Sequence, residues 1–208
     1  MDVSSPIRSV IPGVTGSILQ VLARTTEPLT GVAIAELTDG RASRAGVNKA
    51  LAPLVESGVV GCRPVGPAKL YWLNRDHVAA EAIVALSDLR GETIRRVAHL
   101  TRSWKVQPIA VWLFGSAARG DGDSSSDFDI LLVGPPERLE SNSAWQHQTM
   151  VLAERVTAWT GNHCEILEHT ESELRSLANS KDRLVRDLLR DAITVSGPSA
   201  SELMRGAR

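Results

Sequence analysis

A chain of 208 residues can bury one large core or two smaller ones, and two are expected here. With 43% hydrophobic residues, 23% charged residues and a net charge of −1, its composition is that of a globular protein and excludes a disordered chain. No run approaches the roughly 18 consecutive apolar residues of a spanning helix, and the N-terminus lacks the charged-then-apolar layout of a secretory signal, so no membrane association and a cytoplasmic location are expected. In chain order, Val14, Ile18, Val21 and Leu22 recur at helical spacing and predict a first helix to Arg24. Thr30 is placed to cap a short second helix, stapled by Leu29 and Ile34 and ending near Thr38-Asp39-Gly40. Ser43 is placed to cap a third, Arg44 to Ser57, with Val47, Leu51, Leu54 and Val55 inward, Arg44, Asn48 and Lys49 outward, and Gly58 as its stop. Pro53 is expected to bend its last turns.

Two short strands, Val59 to Arg63 and Lys69 to Leu73, follow around a Pro64-Val65-Gly66-Pro67 turn. Three helices and a hairpin make a winged helix-turn-helix, and the run Ser43 to Val60 followed by a wing resembles MarR/ArsR-like winged-helix regulators. That resemblance implies a third helix in the major groove of double-stranded DNA, a wing on the backbone or minor groove, and a homodimer. Charge agrees with it. Residues 1–75 hold eight basic against five acidic side chains, a net of +3, which leaves −4 for the remainder. Between 41 and 75 six basic residues face Glu56 alone, the electrostatic footprint that phosphate backbones attract. The candidate DNA contacts are Arg41, Arg44, Asn48, Lys49, Arg63 and Lys69; a solvated face is the alternative.

From Asp76 to about Trp104, Val78, Ile83, Leu86, Leu89, Ile94, Val97 and Leu100 predict one long helix or two, interrupted near Gly91. The apolar run Pro108 to Phe114 has strand length and ends at Gly115-Ser116. Ten residues separate Ser116 from Asp127-Phe128-Asp129, and a second strand-like run, Ile130 to Val133, closes at Gly134. Side chains at i and i+2 of a strand share a face, so Asp127 and Asp129 are expected to project together. Two carboxylates side by side repel unless a hard cation lies between them, and oxygen ligands suit Mg²⁺. A glycine lets the backbone approach an anion, and Ser116 adds a hydroxyl and an amide where a helix is expected to start. Adjacent metal and phosphate sites are the equipment of phosphoryl and nucleotidyl transfer.

The run Gly115-Ser116, ten residues, Asp127-Phe128-Asp129 closely resembles the minimal nucleotidyltransferase branch of the DNA polymerase β superfamily. The resemblance runs from about Val106 to Gly197, including the closing Leu188 to Gly197, and implies a small mixed sheet with helices on one side. It implies that Arg119 meets the triphosphate and that a third carboxylate on a later strand completes the metal site and activates the attacking hydroxyl. After a helix over Ala144 to Thr160, packed through Trp145, Met150, Leu152, Val156 and Trp159, Glu165 falls at that position where the family generally has Asp. Glu168 points to the opposite face of a regular strand.

The remaining residues are read plainly. Cys62 and Cys164 fit no zinc pattern and are expected as free thiols. Histidines 77, 99, 147, 163 and 169 form no ligand pair, and Trp104 and Trp112 are expected in the core. Lys181, Arg183, Arg186 and Arg190 recur near helical spacing, an exposed face that could attract nucleotide or acceptor. The expected architecture is α+β: a winged helix over 1–75, a helical connector over 76–105 and a nucleotidyltransferase domain over 106–208. The expected activity is Mg²⁺-dependent transfer (Mn²⁺ as an alternative) of a nucleoside monophosphate, AMP for choice, from a nucleoside triphosphate to an acceptor hydroxyl. Asp127, Asp129 and Glu165 are the catalytic and metal-binding residues, and Gly115, Ser116 and Arg119 bind nucleotide. Family members paired with HEPN toxins add AMP to the partner, so a partner protein such as a toxin is one acceptor the resemblance implies. The alternative function is a DNA-binding regulator whose transferase fold senses nucleotide or binds a partner.

Overall fold

The computed structural model describes residues 1–38, 40–136, 143–179 and 182–205, the side chain of the last excepted. The chain divides into two compact units, one over Ser4–Leu89 with Asp2, the other over Arg90–Arg208 with Met1 and Val3. Both are mixtures of helices and small sheets, and no helix among the described residues is long and apolar enough to cross a membrane.

The N-terminal unit runs α1 (Gly13–Ala23), β1 (Leu29–Thr30), α2 (Gly31–Glu36), α3 (Arg44–Glu56), β2 (Val60–Val65), β3 (Ala68–Leu73) and α4 (Ala80–Ser87). The caps act through side chains: Thr30 accepts from the Ala33 amide at 3.1 Å and Ser43 from the Gly46 amide at 3.1 Å. Ile18, Leu22, Ile34, Val47, Leu51 and Val60 form one buried cluster between the helices and an antiparallel sheet of order β1-β3-β2. Pro64 lies inside β2, paired with Lys69, where the sequence placed it in the turn. β2 is an edge strand, so the missing proline N–H costs no ladder bond on its free side. The fully buried Ile7 amide donates to Gln20 Oε1 at 3.2 Å, and Gln20 Nε2 donates to the Ser87 carbonyl at 3.1 Å, tying α4 to α1.

Two further expectations for residues 76–105 need correction. Val78 is 96% exposed, because α4 begins only at Ala80. The helical break falls at Asp88, and Gly91 sits within α5 (Leu89–Arg102). The turn near Asp39 is partly outside the described residues.

The C-terminal unit continues through α5, β4 (Ala110–Phe114), α6 (Gly115–Arg119), β5 (Phe128–Gly134), α7 (Ser143–Thr160), β6 (Cys164–Thr170), α8 (Glu171–Asn179), α9 (Arg183–Asp191), β7 (Ile193–Ser196) and α10 (Ala200–Arg205). Its sheet has the order β6-β5-β4-β7 and is mixed: β4 pairs antiparallel with β5 and β7, and β5 parallel with β6, with α7 in the intervening connection. Helices cover both faces, not one. Val111, Leu113, Phe128, Ile130 and Leu132 pack with α5 and α7 around Trp145, whereas Ala110, Trp112, Leu131 and Val133 pack with α8, α9 and α10. The reason is legible in hindsight: Ala110–Leu113 and Ile130–Val133 are apolar at every position, so alternation puts hydrophobic side chains on both faces. Trp104 and Trp112 are core as expected, Trp104 edge-on to Trp145 at 5.6 Å and Trp112 donating from Nε1 to the Pro198 carbonyl at 2.8 Å. Met150 is 52% exposed and takes no part in the core, since the inward stripe of α7 runs through Trp145, Thr149, Leu152 and Val156.

Leu131 is fully buried at the centre of β5. Leu131→Ala should cost about 2–5 kcal/mol, measured as a lowered urea midpoint by tryptophan fluorescence, which reports chiefly on this unit because Trp104, Trp112, Trp145 and Trp159 lie in it.

Candidate active site

The apolar strand β4 delivers the chain into Gly115, whose φ of +68° is the left-handed conformation that side chains disfavour. A Cβ there would stand 2.0 Å from Oδ2 of Asp129, so the Gly115 backbone lies directly against that carboxylate. The register explains the meeting: Phe114 pairs with Asp129 across β4 and β5. On the other side Asp129 pairs with Glu165 at the start of β6. Asp127, one residue before β5, stands two positions from Asp129 and thus on its face. Glu165 shares that face; Glu168 is on the other, where it accepts a hydrogen bond from Trp145 Nε1.

Electrostatics record the crowding. Burial pushes the Asp129 carboxyl above the usual range, the Glu165 and Asp127 charges push it further, and the Arg119 guanidinium only partly opposes them. Beneath them Cys164, buried on the opposite face, is pushed up to about 12 by burial and by the charges of Asp129 and Asp127. Asp127 and Glu165 are exposed, Asp129 half-buried. Oxygen donors of this kind suit a hard divalent cation, and a cation there would offset the repulsion that Asp129 feels. The chemistry of the donor set therefore fits the metal. Among the described residues, however, no three His, Cys, Asp or Glu side chains are gathered closely enough to hold an ion as they stand.

Ser116 follows at the start of α6. The helix has five residues and closes at Gly120, φ +77°, whose amide donates to the Ser116 carbonyl at 2.9 Å. So short a helix contributes little macrodipole; the turn offers an anion local N–H groups and the Ser116 hydroxyl. Two residues that sequence reasoning missed hold this turn and the loop after it. Arg90 of α5 donates from Nη1 to the Ala117 and Ala118 carbonyls at 3.3 and 3.1 Å. Asn162, 2% exposed, donates from Nδ2 to the carbonyl of Ser126 at 2.8 Å, and its contacts with the Asp123 and Ser124 carbonyls are 3.3 and 3.4 Å. Within the loop Asp123 accepts from the Ser125 amide and hydroxyl at 2.8 and 2.7 Å and from the Ser126 hydroxyl at 3.2 Å, and these bonds hold its carboxyl below the ordinary range. No pattern in one sequence marks Arg90 or Asn162, because both act on backbone carbonyls brought near only by folding.

Arg119 ends α6 bound to Asp121 at 2.9 Å and to Asp191 at 3.5 Å. It joins Arg183, Arg186, Asp187 and Arg190 around a hollow of about 400 Å³. Lys181 lies outside the described residues. In the N-terminal unit, Arg44, Asn48 and Lys69 line a hollow of about 680 Å³ with Cys62 and Tyr71, between α3 and the hairpin. Arg63 pairs with Leu70 and falls on the other hairpin face. Lys49 is exposed on α3, and Arg41 is engaged by Asp2 at 3.5 Å and by the Ser4 hydroxyl at 2.6 Å. Cys62 and Cys164 are free thiols.

Residues 98–192 match the family model for a nucleotidyltransferase domain. The matched segment contains the Gly-Ser turn, both aspartates and Glu165. No curated protein matches the chain at a significant level. A solved structure described as "Crystal structure of the toxin-antitoxin with AMP-PNP" is 18% identical, over 55% of this chain and 82% of that one, at a TM-score of 0.39. A likeness that slight carries no argument about function.

Because the folded-state Asp129 carboxyl titrates above its unfolded value, its contribution to stability is full below the unfolded pKa and is lost as pH rises through the folded one. Asp129→Asn should therefore melt above the wild type at neutral pH without divalent cation, by a margin that solvent screening of this half-buried carboxyl keeps small. Calorimetry should find the difference closing in acid, and MgCl₂ raising the melting temperature of the wild type alone.

Proposed function

We propose that the C-terminal unit is a Mg²⁺-dependent nucleotidyltransferase of the polymerase β kind, moving a nucleoside monophosphate from a nucleoside triphosphate to an acceptor hydroxyl. The observation that carries this reading is the convergence of Gly115, Asp129 and Glu165: a side-chain-free backbone turn against a carboxylate whose charge is disfavoured by its neighbours. Asp127, Asp129 and Glu165 would hold the divalent cation, which when bound supplies neutralisation of the triphosphate charge. The chain's own residues do the rest. The Gly115-Ser116 turn orients the phosphates, and Arg90, holding the Ala117 and Ala118 carbonyls, keeps that turn in place. Glu165, exposed at the edge of the sheet, takes the proton of the acceptor hydroxyl. A bond forms from the acceptor oxygen to the α-phosphorus as the bond from that phosphorus to the bridging oxygen breaks, and pyrophosphate leaves with the electron pair. Glu in place of the family's Asp reaches one methylene further, which suits a carboxylate that begins exposed rather than gathered with the pair.

Titration calorimetry should find triphosphate binding that requires Mg²⁺ and weakens at least tenfold, about 1.4 kcal/mol, in Asp127→Asn and in Asp129→Asn. Binding indifferent to chelator and to both substitutions would sink the assignment. Incubation with labelled ATP, CTP, GTP and UTP in lysate, followed by identification of the labelled species, names the base and the acceptor, a partner protein among the outcomes.

A second activity is supported by the N-terminal unit. We infer that it is a winged helix that binds double-stranded DNA, with α3 as the reading helix and the β2–β3 hairpin as the wing. The hollow between them, with Arg44, Asn48 and Lys69 on its walls, is the observation that favours it. If the transferase fold proves inactive, the same unit makes the chain a regulator in which the second unit senses nucleotide. Electrophoretic shifts against DNA upstream of its own gene should weaken with Arg44→Ala and Lys69→Ala, each lowering the salt slope by about one. Shifts unchanged by either substitution would exclude this surface.

A further inference from the structure

Asp127 stands one residue before β5, where no strand ladder fixes it, and among the described residues no hydrogen bond reaches its carboxylate. Its backbone neighbours are fixed on both sides. Ahead of it the Ser126 carbonyl accepts from Asn162 Nδ2 at 2.8 Å, and after it the Phe128 amide donates to the His163 carbonyl at 2.8 Å. Each peptide unit is planar, so pinning these two groups orients the two planes that meet at the Asp127 Cα and sets where its side chain departs. Two consecutive residues between α7 and β6 thus clamp one carboxylate. The loop so held also borders the nucleotide turn, because a Cβ on Gly122 would stand 3.0 Å from both Ser116 Oγ and Ser126 Cβ.

Asn162 is itself held. Its backbone amide donates to Thr160 Oγ1 at 3.1 Å, and its Oδ1 accepts from the Met1 nitrogen, which also donates to the Thr160 carbonyl at 2.7 Å. A donor facing Oδ1 fixes which way the carboxamide points and turns Nδ2, with its two protons, toward the Ser126 carbonyl and the Met1 carbonyl at 3.2 Å. Val3, 1% exposed, anchors this segment in the cluster that holds Trp104 and Phe128. We propose that Asn162 is a positioning residue of the active site: it holds Asp127 where the divalent cation needs it, and the Met1–Val3 segment holds Asn162. This rests on the transferase reading above. A side chain that acts by placing a ligand governs metal affinity, and a weakened metal site fills again when more metal is supplied.

The test is titration calorimetry of ATP against the full chain over a range of MgCl₂ concentrations. Asn162→Ala should raise the MgCl₂ needed for half-maximal ATP affinity about tenfold, while saturating MgCl₂ returns that affinity to within twofold of wild type. Asn162→Ser, which keeps a donor, and Val3→Ala, which loosens the Met1–Val3 segment, should fall between. Damage to the fold alone would not be repaired by metal. In the metal-free chain, hydrogen exchange over residues 124–128 should quicken in Asn162→Ala. Should circular dichroism show that this variant does not fold, Asn162→Ser and Val3→Ala decide by the same criteria. An unchanged MgCl₂ requirement, a loss that metal does not recover, or unchanged exchange overturns the proposal and leaves the transferase reading standing. Wild type without Mg²⁺-dependent ATP binding removes both.

Discussion

The carboxylate of Asp129 rests against a stretch of backbone that has no side chain to keep it away. Gly115 permits this twice over, by its left-handed φ and by the missing Cβ that would otherwise stand 2.0 Å from the carboxyl oxygen. Around that contact the C-terminal unit is arranged: β4 brings the turn, β5 the aspartate, and the parallel partner β6 brings Glu165 alongside. The arrangement is unfavourable locally, since burial and the charges of Glu165 and Asp127 disfavour the ionised Asp129 carboxyl. It persists because Trp112, Leu131, Leu132 and Trp145 are fully buried on the two faces of the same sheet, and hydrophobic packing holds geometry that the charges alone would open.

How much of this was readable from residues follows from the range of the interactions. The Gly115-Ser116 and Asp127-Phe128-Asp129 pairs are local patterns, and strand alternation alone puts both aspartates on one face. Thr30 and Ser43 act as caps within three residues of themselves, so they too were legible. What escaped depends on contacts distant in the chain. Asn162 reaches the 123–126 loop from 36 to 39 residues away, and Arg90 reaches α6 from 27 and 28. Val78 and Met150 depart from their patterns for a different reason: an apolar residue at helical spacing predicts an inward side chain, yet one precedes its helix and the other lies off the packed stripe. The second helical layer does have a signal, in the unbroken apolar runs of β4 and β5.

The two units carry their basic hollows in different surroundings. The N-terminal hollow places Arg44 and Lys69 beside Leu51, Val55 and Tyr71, whose hydroxyl is pushed above its ordinary range by burial and by Cys62. The hollow on α9 is lined, among the described residues, by four arginines and Asp187, with Arg190 paired to both Asp187 and Asp191.

Neither sheet invites extension by another strand. In the N-terminal unit one border, β1, is two residues long, and the other, β2, contains Pro64, which has no N–H to offer a newcomer. In the C-terminal unit the border strand β6 carries Glu165 and Glu168, and the opposite border, β7, spans four residues. Self-association through continuous strand pairing, the usual route from a folded β-edge to fibrils, is thereby discouraged at every border. A second copy of the chain would find short or proline-interrupted strand edges to pair with in the N-terminal sheet and at β7.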